Sequence, residues 1–97
     1  MKQIKLWLDD IRPAPKGWFH CTSVNQTKRF IRYAEKRDWE IILDIDHDLG
    51  NYAIDGGDGI ELVKWMAGTE RFYPIEFHTM NPVGLQNMKA IVNRYWK

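Results

Sequence analysis

The chain has 97 residues, of which 44% are hydrophobic and 13% aromatic, and its formal net charge is +1. This length predicts a single domain spanning residues 1–97, and the apolar content excludes a disordered chain. The small net charge argues against strong non-specific binding of nucleic acid. The single cysteine, Cys21, excludes an internal disulfide. Because no segment resembles a signal peptide or a bilayer-spanning run, we expect a cytoplasmic protein.

The first predicted strand covers residues 4–8, where apolar side chains alternate between two faces. It ends in two acids, Asp9 and Asp10. The following segment, IRPAPKGW, contains two prolines and a glycine, so it is predicted to form an ordered loop. Arg12 lies in this loop, and its planar guanidinium suits either neutralising the two acids or binding a substrate phosphate.

Residues 18–22 predict a short second strand, and a helix follows it. Ser23 and Gln26 have the spacing of a capping box, which opens a helix ending near Arg37. The basic side chains fall mostly on one face, which we interpret as a solvated helix surface in preference to an RNA-binding patch. The opposite face repeats at spacings of three and four and is predicted to enter the core through Thr27, Phe30, Ile31 and Ala34.

The third predicted strand contains the continuous apolar run 41–43, which is typical of a strand buried on both faces. It leads directly into Asp44, Asp46, His47 and Asp48. Carboxylates this close repel one another unless a cation, a proton or a hydrogen-bond donor compensates them. Strand alternation places the three acids on one face and His47 on the other, unless the chain bends after Asp46. Since open α/β sheets bind ligands at the carboxyl ends of their strands, this cluster predicts a functional site.

The remaining chain predicts a polar loop, a helix, a strand and a final helix. The loop is NYAIDGGDG, after which Asp58 and Glu61 repeat the capping-box spacing and Gly68 is predicted to end the helix. Residues 74–78 alternate as a last strand. Asn81 and Pro82 suit the N-cap and first turn of the final helix. That helix is predicted to bury Leu85, Met88, Ile91, Val92 and Tyr95.

The order β-β-α-β-α-β-α predicts an α/β fold with a parallel sheet, because helices between strands imply right-handed crossovers. The first and third strands are expected to be central neighbours. Asp9, Asp10, Asp46 and Asp48 would then meet at one sheet edge. His78 and the start of the last helix join them if the fourth strand lies beside the third.

This arrangement predicts a site for a metal ion and a phosphate. Asp9, Asp10 and Asp46 offer only oxygen ligands, which suit Mg²⁺ or Mn²⁺ and suit Zn²⁺ poorly. The start of the last helix offers backbone N–H groups to an anion. His47 and His78 titrate near neutral pH and could transfer protons. Each feature also has a structural explanation, since acids often follow strands and a lone histidine is more often a satisfied interior side chain.

Four segments, LWLDDIRPAPKGW, LDIDHDLG, GDGIELVKWM and FHTMNPVGLQNM, resemble the cyclic-phosphate-processing receiver-like domain family. The resemblance covers nearly the whole chain in order. It implies a small three-layer flavodoxin- or receiver-like fold with a mainly parallel four-stranded sheet. It also implies processing of a cyclic phosphate during RNA repair.

The resemblance assigns roles to individual residues. Asp9 and Asp10 match the paired acids that hold Mg²⁺ in receiver domains, and Asp46 matches the acid that accepts a phosphoryl group there. The family's other motif positions are matched by Arg12, His47, Asp48, His78, Thr79 and Asn81. Two departures stand out: the receiver's fifth strand and lysine have no counterpart after His78, and Asp44 replaces a small residue.

We therefore expect a metal-dependent phosphoesterase acting on a nucleotide or RNA-end phosphate, either a 2′,3′-cyclic RNA end or a cyclic nucleotide. The alternative is a non-catalytic, receiver-derived binding or signalling module in which Asp46 is the phospho-acceptor. A third possibility is a protein that binds a nucleotide or a partner without turnover. In the enzyme interpretation the catalytic residues are Asp46, His47, Asp48 and His78, and the phosphate-binding residues are Arg12, Thr79 and Asn81.

Overall fold

The computed structural model describes residues 2–97. Its strands are β1 (Gln3–Leu8), β2 (Phe19–Cys21), β3 (Glu40–Ile45) and β4 (Ile75–Phe77). Its helices are α1 (Val24–Lys36), α2 (Gly59–Gly68) and α3 (Pro82–Tyr95). No helix within these residues combines the length and hydropathy that a membrane crossing requires.

The four strands form one sheet in the order β2-β1-β3-β4, and all three neighbouring pairs are parallel. Leu8 pairs with both Cys21 and Ile45, and Ile45 pairs with Phe77. The last residues of the four strands are therefore aligned, so the residues that follow leave the sheet at one edge. The predicted α/β class and the central pairing of β1 with β3 are confirmed, and the sheet is entirely parallel.

The hydrophobic core lies on one face of the sheet, beneath all three helices. Alternate strand residues such as Leu6 and Leu43 are fully buried there. Ile42 points to the other face and is only partly buried, so burial of the run 41–43 on both faces was wrong. The helices fill the core with Val24, Thr27, Ile31, Ala34, Leu62, Val63, Met66 and Met88.

The other face of the sheet is covered by the loop between β1 and β2. The Trp7 indole N–H donates to the Arg12 carbonyl at 3.1 Å, and the Trp18 ring packs edge-on against Trp7 at 6.2 Å. The third layer is thus the loop 9–18, because its prolines prevent a helix there. Trp7 therefore lies on the face of the sheet that the loop covers, close to the carboxyl ends of the strands.

The capping predictions were right for α1 and wrong for α2. Ser23 Oγ accepts the Gln26 N–H at 3.1 Å, although the Gln26 side chain bonds the Thr22 N–H instead of the Ser23 N–H. Asp58 occupies the N-cap position of α2 without capping it. Its carboxylate accepts the Leu49 N–H at 3.1 Å, so this acid fixes the preceding loop instead.

The structure adds detail to two further predictions and contradicts a third. The predicted polar loop contains a 3-10 turn, Gly50–Ile54. Gly68 is the last residue of α2, and the backbone becomes left-handed only at Glu70, with φ of 57°. Tyr95 is 44% exposed rather than buried. It belongs to the last turn of α3, whereas the fully buried residues of this helix lie in its first half.

Candidate functional site

Four carboxylates meet at the aligned ends of β1 and β3. Asp9 and Asp10 follow β1, whereas Asp46 and Asp48 follow β3, and together they line a cleft of about 420 Å³. Asp9, Asp10 and Asp46 each place one oxygen within 4.8 Å of the others. The predicted residues Arg12, Thr79 and Asn81 also line this cleft, whereas His47 and His78 do not.

Asp9 is the most strongly bonded of these acids. One carboxylate oxygen accepts the backbone N–H groups of Ile11 and Arg12, at 2.9 and 2.8 Å. The other accepts from His78 Nε2 at 2.9 Å and from Arg12 Nε at 3.1 Å. Burial opposes ionisation of Asp9, but these donors outweigh it and lower its pKa. Both carboxylate oxygens of Asp9 are therefore occupied by hydrogen-bond donors, and Asp9 holds Arg12 and His78 in position.

Asp10 and Asp46 have more free capacity to bind a cation. Asp46 accepts the His47 N–H at 2.8 Å and a guanidinium N–H of Arg12 at a longer 3.4 Å. Within residues 2–97 no protein donor bonds the Asp10 carboxylate. Gly50 adopts a φ of 55° beside it, and a Cβ there would lie 2.7 Å from Asp10 Oδ2. Glycine at position 50 thus leaves the space that Asp10 occupies.

Arg12 joins the ends of three strands. Its guanidinium pairs with Asp9 and Asp46 and donates to the backbone carbonyl of His78 at 3.1 Å. Its charge offsets part of the charge of Asp9 and Asp46, which agrees with one of its two predicted roles. The side chain is still 43% exposed, so part of this planar donor group remains accessible to a ligand.

His78 is held from three sides. Its Nδ1 lies 2.7 Å from Asp44 Oδ1 and its Nε2 lies 2.9 Å from Asp9 Oδ2. Its ring stacks on Trp7, with centroids 3.7 Å apart and planes 5° from parallel. Because ionised carboxylates only accept hydrogen bonds, this geometry favours donation from both ring nitrogens, and we assign His78 as an imidazolium.

The electrostatic surroundings of His78 agree with this charge. Burial disfavours the cation, but the bonds to Asp44 and then Asp9 outweigh burial and raise the pKa of His78. The side chain is only 13% exposed. His78 is therefore a fixed cation that connects the ends of β1, β3 and β4.

Trp7 and Asp44 are site residues whose roles sequence reasoning did not anticipate. They pair in register on adjacent strands and share the loop-covered face of the sheet. Strand alternation alone predicts that Trp7 and Asp44 share this face. The stacking of Trp7 on His78 also depends on the position of His78 after β4, which strand alternation does not predict.

Asp48 is the exposed acid of the cleft, and His47 lies behind it. His47 Nδ1 lies 2.7 Å from Asp48 Oδ1, and the Asn81 amide is 3.3 Å from both Asp48 oxygens. The bond from His47 is the largest influence on Asp48 and lowers its pKa against weak desolvation. Asp48 is 62% exposed, whereas His47 is 16% exposed. His47 packs on Gly84, where an added Cβ would lie 2.5 Å from the ring.

Asn81 caps α3, as predicted. Its side-chain oxygen accepts the Gly84 N–H at 2.9 Å, and its own N–H donates to Thr79 Oγ1 at 3.1 Å. Pro82 has no N–H group to offer. Most of the donors at this helix end are therefore used within the protein, and Asn81 directs its amide N–H groups at Asp48.

The family model described as "Cyclic-phosphate processing Receiver domain" matches residues 4–94. The chain belongs to this family. The matched segment contains every residue of the cleft, so the predicted resemblance is confirmed. No curated protein and no solved structure matched the chain.

Membership makes this a receiver domain associated with cyclic-phosphate processing, and it implies a phosphate-bearing substrate. In this member of the cyclic-phosphate-processing receiver family, the cleft presents four carboxylates and one lining cation, Arg12. Its net charge is negative, which by itself repels phosphate. Binding of a phosphate in this cleft therefore requires positive charge in addition to that of Arg12.

Proposed function

We propose that this domain hydrolyses a cyclic phosphate ester in a metal-dependent reaction. The proposed substrate is an RNA 2′,3′-cyclic end or a cyclic nucleotide, which fits a role in RNA repair. The observation that carries the proposal is the group of Asp9, Asp10 and Asp46, whose oxygens lie within 4.8 Å beside the exposed guanidinium of Arg12. Oxygen ligands suited to a cation and hydrogen-bond donors suited to a phosphate thus lie in one cleft, and this supports the proposal.

The donor set fits Mg²⁺ or Mn²⁺. It consists only of carboxylate oxygens, and Asp10 and Asp46 have lone pairs that no protein donor uses, whereas Asp9 is saturated. We assign the ion to Asp10 and Asp46, with Asp9 holding the surrounding structure. A bound divalent cation would offset the negative charge and act as a Lewis acid toward a phosphoryl oxygen.

The reaction adds water across one P–O ester bond of the cyclic phosphate. The bond from phosphorus to one ring oxygen breaks, a new P–O bond forms from water, and the product is a phosphomonoester. Arg12 is held in place by Asp9 and Asp46 and binds a non-bridging phosphate oxygen through its remaining N–H groups. Thr79 lines the same cleft and contributes a hydroxyl group to the phosphate subsite.

The pair of Asp48 and His47 moves the proton. Asp48 is exposed in the cleft and orients the attacking water, while His47 and Asn81 hold its carboxylate. The proton that leaves the water passes to this pair and is delivered to the departing ring oxygen. His78 has no free ring nitrogen, so in this proposal it positions Asp9 and Arg12 instead of transferring the proton.

Two apolar side chains support a substrate with an organic group next to its phosphate. Ile11 and Met80 are 81% and 85% exposed, and both line the cleft. Strand order places them on either side of the end of β3. An apolar rim around a charged floor suits a nucleoside, whose base covers the rim while its phosphate reaches the floor.

The test is turnover by the intact chain on a panel of nucleoside 2′,3′-cyclic monophosphates and a cyclic-ended oligoribonucleotide, with Mg²⁺ or Mn²⁺. We expect monoester product, with turnover lost in EDTA and in Asp46→Asn. The matched control is Asp38→Asn, an exposed acid that precedes β3, whereas the cleft lies after the end of this strand and is not lined by Asp38. Folded protein that binds the metal but turns over no member of the panel would refute the proposal.

The alternative is a signalling or binding module in which Asp46 accepts a phosphoryl group. The observation in its favour is that Asp46 lies in the cleft beside Asp10 and Thr79. Incubation with acetyl phosphate followed by intact-mass measurement separates the two functions. Stable phosphorylation that Asp46→Asn abolishes, without cyclic-phosphate turnover, supports the module.

A further inference from the structure

A second groove lies at the opposite end of the sheet from the cleft. It is lined by the amino ends of β1 and β2, by one side of α1 and by Trp39, which precedes β3, and its volume is about 460 Å³. We call it the aromatic groove. Five ring side chains contribute to its walls: Trp18, Phe19, Phe30, Tyr33 and Trp39.

The aromatic rings of this groove pack against one another but are only partly buried. Phe19 packs against Phe30 with centroids 4.4 Å apart, and Tyr33 meets Trp39 edge-on at 5.8 Å. Phe19 and Tyr33 nevertheless remain 45% and 46% exposed. Burial of such rings would stabilise the domain, so the exposed parts of Phe19 and of Tyr33, on the side that Arg37 does not cover, are available to a ligand.

The charged side chains of the aromatic groove are both cationic. Lys2 places its ammonium 4.6 Å from the Trp39 ring centroid, and Lys5 lies 5.7 Å from that of Trp18. Arg37, which does not line the groove, places its guanidinium over one face of the Tyr33 ring, 3.4 Å from the centroid. Glu40 begins β3 nearby, but it bonds Gln3 and does not line the groove. Cations therefore alternate with rings along this surface.

We propose that the aromatic groove binds a short single-stranded segment of nucleic acid. Bases stack on Phe19 and Tyr33, and the phosphates between them contact Lys2 and Lys5, a combination that serves sequence-tolerant binding of single strands. The volume lies within the range of about 300–1,000 Å³ for small-ligand sites, which suits one or two nucleotides. Because the net charge is only +1, we expect weak binding, and the contacts of Lys2 and Lys5 with phosphates make that binding sensitive to salt.

Charge distinguishes this ligand from a peptide. An aromatic groove can also hold a proline-rich segment, which is uncharged. Lysines over the rings and the lack of a lining acid favour a polyanion. This site is independent of the proposed hydrolysis, because it shares no residue with the cleft.

The test is fluorescence anisotropy of a labelled single-stranded RNA decamer with the intact chain at low salt. We expect Phe19→Ala and Tyr33→Ala to weaken binding about tenfold each, the scale of one lost base stack. Lys5→Gln should weaken it less and flatten the salt dependence. Matched controls are Phe72→Ala and Tyr95→Ala, whose rings are 42% and 44% exposed outside the groove.

Several outcomes would overturn the proposal. They are the absence of RNA binding at low salt, equal losses in the groove variants and the matched controls, and tighter binding of a proline-rich peptide than of RNA. Tyr33 lies on the surface of α1, so its variant keeps the test valid if Phe19→Ala fails to fold. Binding that survives in Asp46→Asn places the RNA outside the cleft, and its loss there would assign the RNA to the cleft instead.

Discussion

The salt bridge between Asp44 and His78 predicts a stability loss that depends on pH. Asp44→Asn keeps the shape and a possible acceptor at 2.7 Å from His78 Nδ1 but removes the charge. A hydrogen bond to a charged partner contributes about 1.5–3 kcal/mol, against about 0.5–1.5 kcal/mol for a neutral pair. Because both side chains are at most 15% exposed, we expect a loss of about 1–2 kcal/mol in the free energy of unfolding.

The sign of the pH dependence follows from the raised pKa of His78. A group whose pKa is higher in the folded state contributes its full stability below its unfolded pKa, about 6.5 for histidine. That contribution is lost as the pH rises through the folded pKa. The difference between the wild type and Asp44→Asn should therefore be larger at pH 6 than at pH 9.

Urea unfolding followed by tryptophan fluorescence measures this difference, in EDTA so that no metal contributes. The control is Asp38→Asn, because Asp38 is exposed and has a φ of 57°, which asparagine tolerates. At about 4–8 °C per kcal/mol for a domain of this size, the loss is also visible as a lower melting temperature. An equal loss at both pH values would refute the assignment of His78 as a cation.

Two pairs of matched variants test other parts of the structure. Gly84→Ala places a Cβ 2.5 Å from the His47 ring and should destabilise the domain by about 2 kcal/mol. Gly68→Ala meets nothing within 4 Å and should stabilise it by about 0.5 kcal/mol, so the opposite order of melting temperatures would contradict the packing described. Ile11→Ser should weaken binding of a nucleoside monophosphate about fivefold in calorimetry and leave inorganic phosphate unchanged. The control Ile54→Ser, also highly exposed but outside the cleft, should bind like the wild type, and an equal loss there would argue against the apolar rim.

The location of the candidate site was predictable from the sequence. Acids directly follow two predicted strands, and parallel strands bring their carboxyl ends to one edge whatever the details of packing. The strand order places β1 beside β3. Asp9, Asp10 and Asp46 lie together there, as predicted. The N-cap at Asn81 was equally predictable, because capping is a local property of a few residues.

The surroundings of His78 were not predictable in the same way. Of its two carboxylate partners, Asp9 follows β1 and Asp44 lies in β3. The environment of His78 therefore depends on the alignment of three strands and on the turn after β4. The hydrogen-bond partner of Asp58 was also not predictable from the sequence, although this partner is only nine residues away. Its spacing matched a capping box, but a loop that passes close to it offered the Leu49 N–H, which the sequence pattern does not reveal.

We propose above all that this domain opens a cyclic phosphate with the help of a metal ion at Asp10 and Asp46. The most direct measurement is a phosphorus NMR time course of a nucleoside 2′,3′-cyclic monophosphate with the intact chain and Mg²⁺. We predict that the cyclic resonance is replaced by that of a monoester, and that it persists in EDTA and with Asp46→Asn. A cyclic resonance that stays unchanged with folded, Mg²⁺-bound wild-type protein would contradict the claim.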